Sequence, residues 1–357
     1  MSRTTTPARS ETLRAVDART MRTAIGCTPV GIEQTEAWEA FERTQGHPLW
    51  GRYVMEDGGK PVAAIALYSY RVAGRRFLWA KHGPTWLKEQ SPEREAHLRA
   101  LLRAEARRRD RSIVFIRMHA RYGAPDLREL LSTITYDRTY VIDLTPRKPE
   151  AIAAAMPKDG RRAVKRAERV AREAGCTISE ETGLSRAEFD EVYEVLRETA
   201  KRDGFRPHPA EVYWNMLTAL GPDRARLFVL RREGVPHAWD LVTVTGKDAV
   251  AYYGASSTAS RGFRGAEALD WWAATTLAAE GCRGLDLMGA GSTRVPSLYS
   301  VGQYKKRYAK HVTEVDGAWD VPVRTVLYGA LVTAKRVRSR VRGLRARASR
   351  KDRGGSE

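Results

Sequence analysis

Apolar and polar positions between Lys247 and Tyr308 fall into an ordered series of elements. Asp248–Ser256 is an aromatic, strand-like run that breaks at Gly254. Glu267–Glu280 reads as a helix carrying Trp271 and Trp272 and stopped by Gly281, and Leu285–Gly291 as a short strand running into a glycine loop. Val301–Tyr308 closes the series. Strand, loop, helix, strand, loop is the pattern of an α/β unit whose ligand sits where strand ends meet loops.

Upstream, the run from Gln34 to Phe41 predicts an amphipathic helix with Trp38 and Phe41 on one face. Trp50–Glu56 and Val62–Tyr70 predict two strands joined by Asp57-Gly58-Gly59-Lys60, a hairpin turn. Arg76–Ala80 predicts a third strand, ended by the Lys81-His82-Gly83-Pro84 loop. Glu93–Arg109 is a long charged helix, Ser112–Arg117 a buried strand because its apolar run is continuous, and Tyr140–Leu144 a strand closing a first domain. The second domain opens with the alanine- and arginine-rich helix Lys158–Gly175, whose final glycine stops it. Helices Ser185–Asp203 and Glu211–Ala219 follow, then strands Arg226–Arg231 and Ala238–Val244 about a Glu233-Gly234 turn. Helices, hairpin, strand, helix, strand thus recur in both halves. The expected fold class is α/β (α+β): domains at residues 23–145 and 146–320, a disordered segment 1–22, and a basic amphipathic helical tail 321–357.

Composition narrows the class. At 357 residues the chain is long enough for two domains, and 42% hydrophobic with 29% charged residues suits packed cores. No run approaches the roughly 18 apolar residues of a membrane span, and the first 22 residues lack the apolar core of a secretory signal. Cys27, Cys176 and Cys282 are odd in number and far apart, which argues against a disulfide framework or a cysteine metal site and for a reducing, cytoplasmic home. The net charge of +19 is uneven: eleven Lys or Arg against two acidic residues fall between Val321 and Glu357. Such a balance points to a polyanion, either nucleic acid or an anionic membrane face.

The strand–loop–helix from Tyr252 to Ala274 invites comparison with the acyl-CoA turn of acetyltransferases, where amides at a helix N-terminus cradle a pyrophosphate. That turn reads Gln or Arg, two residues, Gly, one residue, Gly or Ala. Here Gly265 is preceded at the key place by Gly262, and Gly262 by Ala259, so neither completes it.

Several stretches together resemble a family. They are Gln34-Thr35-x-x-Trp38, the Lys81–Pro84 loop, the basic helix from Arg161, Tyr252-Tyr253-Gly254-Ala255-Ser256, the segment Gly281–Gly289, and Tyr304-Lys305-x-x-Tyr308. In order and spacing they resemble the Fem-type (FemX, FemA, FemB) peptidyltransferases over roughly Pro29–Asp320, in the compact FemX-like form without a coiled-coil arm. The resemblance implies two tandem acetyltransferase (GNAT)-like domains and one active site. It also implies transfer of an aminoacyl group from tRNA to a stem-peptide amine of a peptidoglycan precursor, lipid II or UDP-MurNAc-pentapeptide, with no metal or redox cofactor.

Residue by residue, the resemblance makes Lys305 the catalytic cation beside the developing oxyanion, where a fixed charge stabilises the transition state more than the ground state. It places Tyr253 and Tyr304 against the precursor, and offers Arg206 and His208 as candidates for its diphosphate. Glu42 stands where the family has a precursor-binding lysine, with Arg43 the candidate replacement. His119 replaces an acidic residue at a strand end and is a candidate base. Arg161, Arg162, Lys165 and Arg166, with Lys335 and Arg336, are expected to hold tRNA phosphates, the tail suiting an anionic membrane face equally well. A monomer is favoured. A peptide antibiotic or other small amine as acceptor, an acyl-CoA N-acetyltransferase, and a non-enzymatic nucleic-acid-binding protein stay open as alternatives.

Overall fold

The computed structural model describes residues 11–131, 135–337 and 340. In chain order the first elements are β1 (Thr12–Val16), α1 (Ala18–Ile25), a 3-10 turn at Ile32–Gln34, and α2 (Glu36–Thr44). Next come β2 (Leu49–Asp57), β3 (Lys60–Val72), β4 (Arg75–Trp79), β5 (Thr85–Trp86), α3 (Pro92–Arg109) and β6 (Ile113–Ala120). The middle of the chain forms β7 (Arg138–Asp143), α4 (Pro149–Ala155), α5 (Lys158–Glu173), β8 (Cys176–Glu180), α6 (Arg186–Asp203) and α7 (Ala210–Leu220). Then follow β9 (Ala225–Arg232), β10 (Val235–Thr245), β11 (Asp248–Ser256), α8 (Gly265–Ala279) and β12 (Gly284–Gly289). Last are α9 (Tyr299–Lys305), β13 (Thr313–Glu314), β14 (Gly317–Pro322) and a helix α10 over residues 325–337.

These elements form two compact units, and neither is one stretch of chain. The first takes the described residues up to Gly26, Leu49 to Leu131, and Ala318 onward; the second takes Cys27–Pro48 and Thr135–Gly317. A boundary near residue 145 was expected instead. The difference arises because α2 packs on α7 of the second unit, while β14 returns to the sheet of the first.

In the first unit the strand order is β1-β2-β3-β4-β6-β14, with β5 also on β3. The expected hairpin joins β2 to β3 through Gly58 and Gly59, both at positive φ (55° and 78°), a backbone region that glycine enters without steric cost. Ser91 caps α3, Pro92 starts it, and Arg107, Arg108 and Arg109 sit at its negative end. Leu98, Leu102 and Ala106 of α3 pack on Ile113, Ile116 and Met118 of β6, all almost wholly buried.

Both expected ends of the chain need correction. Residues 1–22 were expected to be disordered, yet within them β1 pairs antiparallel with β2 and Met21 of α1 is buried. Most of β1 is exposed, so it carried no apolar alternation; its order comes from backbone pairing. At the other end Val321 and Val323 belong to the core of the first unit, with β14 formed where the tail helix was expected to begin. The helix starts only at residue 325. Residues 1–10, and the part of the tail covering 338–339 and 341–357, lie outside the described residues.

The second unit has the order β13-β7-β12-β11-β10-β9-β8, with α8 and α5 packed on one face. Helices α6 and α7 cover the other, where Tyr213 of α7 meets Trp239 of β10 ring to ring at 6.0 Å. Ser185 and Glu188 form a full capping box at the start of α6, and Gly204 ends it in the left-handed conformation.

Candidate active site

The site of the second unit is set by two strands that part. β11 and β12 run parallel and pair only over Asp248–Gly284, Ala249–Leu285 and Val250–Asp286. Beyond these positions β11 carries Tyr252 and Tyr253, and β12 turns through Met288, whose φ is +60°, into Gly289. A ladder irregularity between β12 and β7 falls at the same place. Asp286 holds this bend by accepting the Met288 amide at 2.6 Å and the Thr139 hydroxyl, while Thr139 also donates to the Met288 carbonyl.

Lys305, the last residue of α9, reaches the end of β12. Its Nζ donates to the carbonyls of Met288 (3.1 Å) and Gly289 (3.0 Å). An ammonium has three donors, so one remains for a ligand. Burial pushes Lys305 down to about 8, against the pull of Asp286 and Asp270 to keep it charged. A cation is thus held, partly desolvated, where two strands diverge.

Aromatic groups line the same strand end. Tyr252 donates to the buried Glu33 at 2.9 Å, and Tyr253 meets Tyr213 edge to face at 4.7 Å. Burial raises both tyrosines of β11, and raises Tyr213 to about 12, so all three are neutral donors at neutral pH. Tyr136, raised by burial and by Asp286 and Glu33, packs where a side chain on Gly289 would have to go.

Tyr304 points away from this wall. Its hydroxyl donates to Asp270 Oδ2 at 2.5 Å, Tyr308 donates to the same oxygen at 3.0 Å, and the two hydroxyls lie 3.1 Å apart. Asp240 of β10 and Asp270 of α8 act on each other's charge. Burial raises both carboxyls; Asp240 is raised the further, by the nearby Asp270 as well, whereas the Tyr304 and Tyr308 donors pull Asp270 back toward its ionised form. Gly254 faces Asp240 across the ladder, and a Cβ on it would lie 2.6 Å from Asp240 Oδ1. Neither aspartate was among the residues singled out from the sequence. The available signal was Asp240, a lone carboxylate inside the apolar strand Ala238–Val244.

The other expected residues are placed as follows. Arg206 and His208 are exposed in the α6–α7 loop, where the His208 backbone donates to Tyr213 Oη and accepts from Tyr193 Oη. Arg43 is exposed and paired with Glu39 at 2.8 Å on its own helix. Its neighbour Glu42 is buried, accepting from Trp38 Nε1 at 2.8 Å and bonded to His47 Nδ1 at 2.7 Å. Glu42 therefore braces α2. His119 belongs to the first unit: its amide donates to the Gly83 carbonyl and its ring meets His82 edge to face at 4.9 Å. Along α5, Val164, Ala167 and Ala171 face the core, leaving Arg162, Lys165 and Arg166 exposed and Arg161 half-buried. Among the described residues these four have no acidic partner within ion-pair distance. Lys335 of α10 donates to the Leu130 carbonyl at 3.3 Å, and Arg336 is exposed on the same helix.

The turn before α8 bonds several of its own amides. Thr258 donates its amide to the Glu198 carboxylate (2.6 Å), Ser260 to Ser257 Oγ (3.1 Å), Arg261 to the Thr258 carbonyl and Gly262 to the Ala259 carbonyl. Several amides of this turn are thus bonded within the chain, one of them to the Glu198 carboxylate.

Residues 158–306 match the family model of the acetyltransferase (GNAT) domain. A crystal structure of FemX superposes with a TM-score of 0.70 at 15% identity, covering 89% of this chain and 99% of that one. The C-terminal domain of a putative lysylphosphatidylglycerol synthetase from Agrobacterium fabrum gives 0.52 at 15% identity, covering 88% and 95%. A tandem GNAT protein from the clavulanic acid biosynthesis pathway also gives 0.52, at 14% identity, covering 88% and 98%. Among curated protein sequences none matches the chain. The chain has the tandem acetyltransferase-like α/β fold, the fold of FemX, with a GNAT domain in its second half.

Proposed function

We propose that the protein is an aminoacyl-tRNA-dependent aminoacyltransferase that acylates the stem-peptide amine of a peptidoglycan precursor. One observation carries the reading: Lys305 sits partly desolvated at the parting of β11 and β12 with one donor unspent, while the turn before α8 already carries the Glu198 carboxylate on the Thr258 amide. This supports an acyl donor activated as something other than a CoA thioester. An aminoacyl ester of tRNA does so, and the exposed basic face of α5 suits its phosphates. The likeness in fold to FemX supports the same choice.

In this reading the acceptor amine attacks the ester carbonyl carbon. A C–N bond forms, the C–O bond to the terminal ribose breaks, and the amine's proton goes to the departing ribose hydroxyl. Negative charge builds on the carbonyl oxygen in between, and the Lys305 ammonium offsets it. Tyr253 and Tyr213 supply neutral donors to hold the substrates in register.

The test incubates the full chain with a mixture of radiolabelled aminoacyl-tRNAs and either lipid II or UDP-MurNAc-pentapeptide, with a ribonuclease control. Label in the precursor, abolished by ribonuclease, is the expected result and names the amino acid. Label that stays on tRNA overturns the acceptor, and consumption of acetyl-CoA overturns the donor.

A further inference from the structure

Helix α10 gives only one side to the first unit. Tyr328 is buried there, donating to Asp320 and to the Glu129 carbonyl, and Leu331 and Val332 are half-buried. The rest of the helix is open. Val326 is 85% exposed, Val337 53% and Leu327 41%, and Ala330, Thr333 and Ala334 are exposed with them. At 3.6 residues per turn these six fall within one arc of about 120°, on the side away from Tyr328. Lys335 flanks the arc on one side, Arg336 and Arg340 on the other, and all three are exposed. No acidic residue occurs between Thr325 and Arg340, and the sequence from Lys335 to Arg353 holds ten Lys or Arg against Asp352.

Aliphatic side chains held out in water gain from an apolar phase, and the cations beside them gain from anions. Nucleic acid supplies phosphates but leaves the aliphatic row in water, and the exposed arc has no aromatic side chain on which a base could stack. A second copy of the helix would bring like charges together. The surface of an anionic bilayer supplies both partners, acyl chains below and lipid phosphates above. Among the described residues no helix is long and apolar enough to cross a membrane, so α10 would lie on the surface and not span it.

We propose that α10 docks on an anionic lipid bilayer, with Val326, Leu327 and Val337 turned to the acyl chains and Lys335, Arg336 and Arg340 on the lipid phosphates. The proposal goes beyond the functional reading and does not rest on it. Each basic residue near such a surface is worth about fivefold in partition, so three give about a hundredfold. The aliphatic row adds a part that salt does not screen.

The experiment sediments the full chain with vesicles of phosphatidylcholine alone or with phosphatidylglycerol added, at low and high salt. Binding is expected only where phosphatidylglycerol is present. Lys335→Gln, Arg336→Gln and Arg340→Gln together should weaken it about a hundredfold. Val326→Ser with Val337→Ser removes apolar surface without changing charge, and should weaken it about tenfold at either salt concentration. Circular dichroism should be unchanged in both variants, whose altered side chains are exposed. Sedimentation that ignores phosphatidylglycerol, or none with either vesicle, overturns the proposal. A serine variant that binds like the native chain leaves a polycation without a seated helix, and overturns the docking face. Glutamine substitutions that weaken tRNA retention on filters but not vesicle binding make RNA the occupant and overturn the membrane. No arm reads aminoacyl transfer, so a failed transfer assay leaves the docking result standing, and the reverse holds.

Discussion

Asp240 and Gly254 face one another across β10 and β11, and Asp240 Oδ1 lies 2.6 Å from where a side chain on residue 254 would begin. Aspartate is short, so it cannot yield the space by rotating its far end. Gly254→Ala should therefore displace Asp240 and destabilise the unit by about 1–3 kcal/mol, the usual cost of overpacking. Urea denaturation measures it; unchanged stability would show that the carboxyl moves freely.

Lys305→Met removes the cation and keeps much of the side chain's volume. Transfer is expected to lose about 10²–10³-fold in kcat, the cost of deleting one oxyanion donor. Affinity for tRNA, measured by filter binding, should not change, since Lys305 is at the strand end and not on the α5 face.

Activity should fall as pH rises through about 8, because Lys305 carries its charge below that value and loses it above. The direction follows from a depressed lysine: an ordinary one would stay charged to beyond pH 10. A kcat profile on saturating substrates, flat from pH 7 to 9.5, would remove Lys305 as the required cation.

Arg162→Glu, Lys165→Glu and Arg166→Glu in one chain should weaken tRNA binding and reduce its salt dependence by a slope of about three, one for each phosphate no longer neutralised. Thermal stability should hold, since all three are exposed on the far side of α5 from its apolar face.

Asp320→Ala should cost the first unit about 3–5 kcal/mol, because it leaves the buried Arg117 guanidinium without its carboxylate. The pair is held at 2.7 Å and 3.2 Å, with Tyr328 and the Leu131 amide also donating to Asp320. Denaturant unfolding followed by Trp fluorescence reads the loss.

Local pattern carried most of the fold. β2, β3 and their turn, α3, α5, α6 and β11 lie within a residue or two of where periodicity and capping place them. The elements that pattern could not find are held by partners far away in sequence: β1 by β2, and β14 through Asp320 and Arg117. Motif order pointed to Lys305 and Tyr253, and both lie near the end where β11 and β12 part. Asp270 carried no such signal, since an aspartate in a helix reads as solvated until Tyr304 of α9 and Tyr308 from the turn after it are placed on it. Glu42 was misleading for the same reason: its sign is wrong for a phosphate, but its role is to brace Trp38 and His47.

The path of the chain also sets a timetable for synthesis. Arg117 is made 203 residues before Asp320, and the sheet of the first unit lacks β14 until that stretch leaves the ribosome. At roughly 5–20 residues per second the interval is about 10–40 s. Throughout it, the arginine's carboxylate and the last strand do not yet exist, while the stretch Thr135–Gly317 of the second unit is being made. The first unit begins first and finishes last, so the unit bearing Lys305 completes its chain before the first can close its core.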